Sequence, residues 1–181
     1  MDERIKEIVR KECGEDDYKY HVVIVVKYAK MLADKLNADK EVVELAAWLH
    51  DITVQTDDAN HHESGAKRAE EILKNFDYSD EVINKVKSCI VSHRTSKDIE
   101  PESIEAEIIR NADAIAHFDI LPVLFKYKLD KGEDLKTAFQ WVYDKIERDW
   151  SKKITLKEAK ELAQEKYEAI KLVLDSLKEY V

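Results

Sequence analysis

The chain has 181 residues, of which 44% are hydrophobic and 38% are charged. This length and composition allow one compact domain with a buried core and argue against disorder. The formal net charge of −9 disfavours an extended nucleic-acid-binding face, so an anionic ligand would need a local basic pocket. Cys13 and Cys89 have no paired spacing, and they predict two reduced thiols rather than a disulfide framework.

The amino-terminal segment 1–11 is charged and amphipathic, unlike a signal sequence. The longest apolar run near it, 22–26, is far too short to span a bilayer. These features predict a cytoplasmic protein with no membrane partner.

Apolar residues recur at helical spacing along almost the whole chain, and three Gly and two Pro leave few tight turns. The first predicted helix is short and ends near Gly14. The helices that follow it in chain order are predicted at about 16–36, 39–52, 61–76, 79–93, 101–119, 135–150 and 156–180. Polar loops are predicted at 53–60 and 95–100. Pro101 is expected at a helix start, and Pro122 is expected to interrupt or restart a helix. The pattern predicts a single all-α domain over 1–181.

All the histidines lie before residue 118, and most lie near a helix end. They are His21, His50, His61, His62, His93 and His117. A single His on an apolar face is usually a core or surface residue. Six of them spread over five helical segments, several with carboxylate or Arg neighbours, indicate a shared site.

Two carboxylates are predicted to lie at or inside the core. Asp51 follows His50 at the end of an apolar helix, and Asp113 lies mid-helix among Ile and Ala residues. A buried carboxylate is costly unless it is paired or bound to a metal. For Asp113, a salt bridge to Arg110 three residues earlier is the alternative to metal binding.

The order His21, His50-Asp51, Asp113, with all four residues on helices, resembles the HD superfamily of metal-dependent phosphohydrolases. The similar region spans about 18–120. The segment 111–114 is similar to the one bearing the last Asp in small stand-alone HD hydrolases. The resemblance implies an all-α HD-domain helical bundle, with an additional C-terminal helical segment over about 130–181.

Further histidines extend the resemblance. His62 with Gly65, and His93 at a helix end, are similar to the extra histidines of HD members that hold a second metal. In contrast, Thr53 and Val54 stand where many relatives have Gly and Lys, which departs from the HDIG-type cyclic-dinucleotide phosphodiesterases.

The resemblance implies a metal site with one or two ions. Its expected ligands are His21, His50, Asp51 and Asp113, with His62 and His93 for a second ion bridged by Asp51. Such mixed nitrogen and oxygen ligands suit Mn, Fe, Co, Ni or Zn. A bound divalent ion lowers the pKa of water from about 15.7 toward about 7. With one ion, His62 and His93 would instead orient the water or protonate the leaving group, so Asp51, His62 and His93 are the predicted catalytic residues.

His62 is preferred to His61 because Gly65 follows it at the family's spacing. Adjacent residues point about 100° apart on a helix, so His61 is expected to be an exposed capping residue. Phosphate also needs cationic partners. The predicted substrate-binding residues are Arg94, Lys67, Arg110 and His117. A solvated helix face is the alternative for each basic residue.

The implied function is hydrolysis of a phosphate monoester or diester, in particular a nucleotide. A di-iron, oxygen-dependent HD-type enzyme is one alternative, and a non-catalytic nucleotide-binding regulatory module is another. Aromatic residues of the last third recur at helical spacing, as in a core or a homodimer face. The long helix at about 156–180 is expected to pack over the bundle, and no chemistry is assigned to it.

Overall fold

The computed structural model describes residues 1–94 and 99–181, and no β-strand occurs in these ranges. The α-helices are α1 (Glu3–Cys13), α2 (Glu15–Asp17), α3 (Val23–Leu36), α4 (Lys40–Leu49), α5 (His61–Asn75), α6 (Asp80–Ser92), α7 (Ile104–Asp119), α8 (Leu121–Asp130), α9 (Leu135–Arg148) and α10 (Lys157–Leu177). Two π-helical turns, Tyr18–Val22 and Asp149–Lys153, precede α3 and follow α9. The predicted all-α class is confirmed.

Local signals explain several helix ends. Gly14 has a φ of 88°, a conformation that favours glycine, and the chain turns there between α1 and α2. Pro122 lies in the first turn of α8, so it restarts a helix as predicted. The expected helix start at Pro101 is wrong, because the Ser103 side chain accepts a hydrogen bond from the Ala106 amide at 3.2 Å and caps α7. Of the predicted loop 95–100, positions 95–98 lie outside the described residues.

Helix α7 is the centre of the bundle, and every residue from 108 to 118 is buried. Helices α3, α4, α6 and α10 pack around it. A helix that is buried on all sides normally carries only apolar residues. Asp113 and His117 are exceptions on α7, so both need partners inside the bundle.

The last third of the chain, residues 121–181, is anchored to α7. The buried Asn111 side chain accepts hydrogen bonds from the backbone amides of Thr155 at 2.8 Å and Leu156 at 3.1 Å. This anchor lies just after the π-helical turn Asp149–Lys153, which itself packs on α7. The side chains of that turn are thereby held next to Asp113 and His117.

None of the helices in the described ranges has both the length and the apolar character that crossing a bilayer requires.

Candidate metal centre

Two groups of potential metal ligands lie side by side in the bundle. The first is His21, His50 and Asp113, and the second is Asp51, His61 and His93. Within each group the ligand atoms lie within 4.8 Å of one another. The π-helical turn Tyr18–Val22 places His21, and the end of α4 places His50 and Asp51.

The Asp51 carboxylate lies between the two groups. Its Oδ2 is 3.3 Å from the Nε2 of His21 and 3.4 Å from that of His50. Its Oδ1 is 3.3 Å from the Nε2 of His61 and 3.5 Å from that of His93. Oδ1 is buried and makes no hydrogen bond within the described part of the chain. One carboxylate therefore presents one oxygen to each group, as a bridging ligand does.

Backbone carbonyls orient three of the imidazoles. The Nδ1 atoms of His50, His61 and His93 lie 2.9, 2.8 and 2.5 Å from the carbonyl oxygens of Ala47, Asp58 and Ile90, respectively. A carbonyl only accepts hydrogen bonds, so each Nδ1 carries a proton. In the neutral ring, Nε2 then has the lone pair and faces Asp51. Metal-binding histidines are commonly oriented in this way.

These groups fit divalent metal ions. The Nε2 atoms of His21 and His50 lie 3.2 Å apart, and those of His61 and His93 lie 3.3 Å apart. Lone pairs and carboxylate oxygens this close repel one another unless a cation or a proton lies between them. Imidazole nitrogen and carboxylate oxygen are the donors that Mn, Fe, Co, Ni and Zn accept.

Protonation compensates the charges in the metal-free protein. Burial opposes a charge on His21, but Asp113 and Asp51 outweigh it and raise the pKa of His21 to about 9. Burial would raise the pKa of Asp113, but the Lys153 ammonium and His117 hold it well below its usual range. The Lys153 Nζ contacts Asp113 Oδ2 directly. A proton and an ammonium thus supply positive charge at the first group.

The choice of His62 over His61 is corrected by this geometry. His61 is buried, and its Nε2 faces both Asp51 and His93, so it is not an exposed capping residue. His62 is also buried but lies outside both ligand groups. Gly65 packs near the carbonyl of His50, a contact that brings α5 close to the centre without selecting either histidine.

A cavity of about 490 Å³ opens beside both groups. Six basic side chains line it: Arg94, Lys128, Lys131, Lys145, Arg148 and Lys153. Six aspartates also line it, so the fixed charges of the wall nearly balance, although the whole chain carries −9. Divalent ions at the ligand groups would make this cavity positive, which favours an anionic ligand.

Two of the four predicted substrate-binding residues line this cavity. They are Arg94, which donates hydrogen bonds to the carbonyls of Asp58 and Ala59, and His117. Lys67 is exposed on α5 away from the cavity. Arg110 is buried, and its Nε donates a hydrogen bond to the Ser92 carbonyl at 3.2 Å. This hydrogen bond links α7 to the end of α6. The expected roles of Lys67 and Arg110 are therefore corrected.

The last third contributes side chains that the sequence did not indicate. Lys153, rather than Arg110, pairs with Asp113, and Asp149 accepts a hydrogen bond from His117 at 2.8 Å. Five of the six basic residues of the cavity wall come from this region. These contacts bring side chains of the last third to the candidate metal centre, next to Asp113 and His117. The only signal for them in the sequence is the density of Lys and Arg over 145–153.

The profile of the HD domain family matches residues 18–117, which is more than half of the chain. The chain therefore belongs to the HD domain family. Among curated relatives, it is 31% identical to the tRNA (cytidine(56)-2'-O)-methyltransferase of Picrophilus torridus, over 70% of this chain and 39% of that protein. It is 33% identical to Ribonuclease Y of Thermoanaerobacter pseudethanolicus, over 67% of this chain and 24% of that protein. The chain thus spans well under half the length of these two relatives.

Among solved structures, the fold is similar to that of Bacillus subtilis YpgQ in complex with ADP. The TM-score is 0.78 at 22% sequence identity, and the alignment covers 99% of this chain and 94% of YpgQ. This match supports the fold of the last third as well as that of the HD core.

Proposed function

We propose that this protein is a metal-dependent phosphohydrolase that acts on a phosphate monoester or diester, with nucleotides as the preferred class. The observation that carries the proposal is the Asp51 carboxylate, which presents one oxygen to each of two His-containing ligand groups. A carboxylate in this position can hold two divalent ions close together, an arrangement that suits attack on a phosphate ester.

His21, His50 and Asp113 would hold the first ion, and His61 and His93 the second, with Asp51 shared between them. When bound, such ions lower the pKa of a water molecule and withdraw charge from phosphoryl oxygens. The protein itself contributes by orienting the imidazole nitrogens that would bind the ions. The hydrogen bonds of Nδ1 to backbone carbonyls hold the rings of His50, His61 and His93 in one tautomer.

The basic wall supports a phosphate-bearing substrate. Arg94 and Arg148 form no ion pair with a carboxylate within the described ranges, although both line the cavity. The Arg94 side chain donates to two backbone carbonyls, which orient the guanidinium. Guanidinium groups bind phosphate with two parallel hydrogen bonds. We assign these two residues to the non-bridging oxygens of the substrate.

Aromatic side chains beside the basic wall support a nucleotide. Tyr20, Tyr127 and Trp141 line the same cavity, and the rings of Tyr127 and Trp141 pack with centroids 5.8 Å apart. Such rings offer a stacking surface for a base. YpgQ has been solved with ADP, so ADP belongs in the first substrate panel for this protein.

The test is elemental analysis of the native protein, followed by a phosphatase screen with each divalent ion. The panel contains nucleoside mono-, di- and triphosphates, cyclic nucleotides and p-nitrophenyl phosphate. We expect metal-dependent turnover of at least one member. A metal-loaded protein that turns over none of them would refute the proposal.

The same experiment separates the two alternatives. Iron content with an oxygen-sensitive optical band would favour a di-iron oxygen-dependent enzyme. Tight nucleotide binding with no product after long incubation would favour a regulatory module. A His50→Ala/Asp51→Ala variant serves as the control, and we expect it to lose both metal and turnover.

A further inference from the structure

His117 lies beside the candidate metal centre but outside both ligand groups. It follows Asp113 by one turn of α7 and lines the cavity. Its ring stacks on that of His21, with centroids 5.2 Å apart and planes 7° apart. Its Nε2 lies 3.4 Å from Asp113 Oδ1. One ring nitrogen is therefore directed toward the place where a substrate would meet the first ligand group.

The other ring nitrogen is held by a side chain of the last third. His117 Nδ1 lies 2.8 Å from Asp149 Oδ2, and Asp149 is only 1% exposed. The Lys145 ammonium lies 3.7 Å from the same oxygen. Burial would raise the pKa of Asp149, but Lys145 and His117 outweigh it and lower the value to about 2. Asp149 is thus an ionised carboxylate that can only accept a hydrogen bond.

The two nitrogens of the His117 ring face oxygen acceptors at different distances. The contact at Nδ1 is 0.6 Å shorter than the contact at Nε2, and only the Nδ1 contact lies within the usual range of an N–H···O hydrogen bond. In a neutral ring the proton therefore belongs on Nδ1, and Nε2 keeps its lone pair.

We propose that Asp149 is a positioning residue, which holds His117 in the Nδ1–H tautomer so that Nε2 accepts a hydrogen bond from the reacting water or substrate hydroxyl beside His21. The catalytic part of this inference rests on the proposed phosphohydrolase function. The tautomer is a property of the protein alone and is testable without any substrate.

A purely structural role for Asp149 is the competing explanation. Its carboxylate also neutralises Lys145, and its backbone carbonyl accepts a hydrogen bond from Ile154 at 2.8 Å. A structural residue would affect stability and all kinetic constants together. A positioning residue would change the protonated nitrogen of His117, and it would act on turnover only through that ring.

The first measurement is the tautomer of His117 in the unaltered, zinc-loaded protein, by long-range ¹H–¹⁵N NMR of the imidazole rings. A His117→Gln variant identifies the signals. We expect a protonated Nδ1 and an unprotonated Nε2. Asp149→Asn should shift the ring toward the Nε2–H form, because an amide nitrogen can donate to Nδ1. Asp144→Asn, at an exposed position of α9, should leave the signals unchanged. An Nε2–H tautomer in the unaltered protein would overturn the proposal.

The second measurement is hydrolysis of p-nitrophenyl phosphate and bis(p-nitrophenyl) phosphate with Mn²⁺. Asp149→Asn should lower kcat by about 10- to 100-fold with little change in KM, as the loss of an orienting carboxylate beside a metal site does. The double variant with His117→Gln should be no slower than His117→Gln alone.

Two outcomes would contradict the catalytic part. If Asp149→Asn slows the His117→Gln protein by the same factor as the unaltered one, Asp149 acts elsewhere. If the unaltered protein hydrolyses neither ester nor any nucleotide, the proposed function fails, and with it the catalytic role of His117. The NMR result would still decide the tautomer.

Discussion

The HD core, residues 18–117, and the last third, residues 121–181, line one cavity with complementary chemistry. The core provides imidazole nitrogens and carboxylate oxygens, which are the donors that metal ions need. The last third provides five of the six basic side chains of the wall, which phosphate needs. The stacked rings of His21 and His117 differ in the direction in which their surroundings shift the pKa. The pKa of His21 is raised to about 9 by two carboxylates, whereas burial and Lys145 lower that of His117 to about 4.

This contrast gives the cavity a balance of charge that the whole chain, with a net charge of −9, does not have. Six aspartates and six basic side chains line the cavity, and several of them pair directly, as Lys153 does with Asp113 and Lys131 with Asp58. Metal ions bound at the ligand groups would add positive charge to this cavity, which favours an anionic ligand. Changes at the ligand groups of the core should therefore affect metal binding, and a change at Arg148, a basic residue of the cavity wall in the last third, should affect substrate binding.

The largest expected effect comes from the bridging carboxylate. Asp51→Asn removes the charge shared by both ligand groups, and we expect loss of both metal ions. Turnover should fall by more than the roughly 100-fold that changes outside the ligand set cost. Metal content by mass spectrometry and hydrolysis of p-nitrophenyl phosphate measure this. Asp57→Asn in the same loop, away from the cavity, is the matched control. Normal metal stoichiometry in Asp51→Asn would show that the core does not hold the ions in this way.

Adjacent histidines provide the next test. His61→Gln should lower the metal content by one ion per chain and turnover by roughly 10- to 100-fold, because His61 Nε2 faces Asp51 and His93. His62→Gln should keep the full metal content. Thermal unfolding of both variants controls for the cost of changing a buried side chain. The reverse result would restore His62 as the ligand.

The charge on His21 should be visible in the stability of the metal-free protein. The pKa of His21 in the folded protein, about 9, lies above its usual value of 6.5. The contribution of the charged ring to the free energy of unfolding is therefore fully present below pH 6.5. That contribution, a few kcal/mol by the usual conversion, is lost as the pH rises through about 9. Denaturant unfolding between pH 6.5 and 9 measures the loss. In His21→Gln the dependence on pH should be flatter, and an equal slope in both proteins would contradict the assignment.

The smallest expected effect tests the last third directly. Arg148→Gln should raise KM by about tenfold with kcat unchanged, since one hydrogen bond to a charged group contributes about 1.5 kcal/mol. Lys152→Gln is the matched control, because Lys152 is exposed on the neighbouring π-helical turn and does not line the cavity. A fall in kcat with no change in KM would place Arg148 in the chemical step rather than in binding.

The sequence predicted the core better than the last third for a physical reason. His21, His50, Asp51 and Asp113 lie within or directly beside helical segments with strong apolar periodicity, so their inward direction followed from residue spacing. The choice between His61 and His62 failed because both are buried at the start of α5. Which ring faces Asp51 depends on how that helix is rotated against α6, and residue spacing does not determine the rotation.

Lys153 and Asp149 illustrate what residue spacing misses. They lie 40 and 32 residues after their partners Asp113 and His117, within a π-helical turn that no periodicity marks. Basic and acidic side chains at helix ends usually point into solvent. Here the hydrogen bonds of Asn111 to the backbone of Thr155 and Leu156 hold the turn against α7 instead.

The sequence by itself determined the all-α class, the HD family and the residues of the first ligand group, because these depend on local pattern and order along the chain. Only the tertiary structure decided that Asp51 faces both groups, that His61 belongs to the second, and that the last third completes the cavity. Those features depend on the packing of helices that are distant in sequence, and such packing is set by contacts across the whole core.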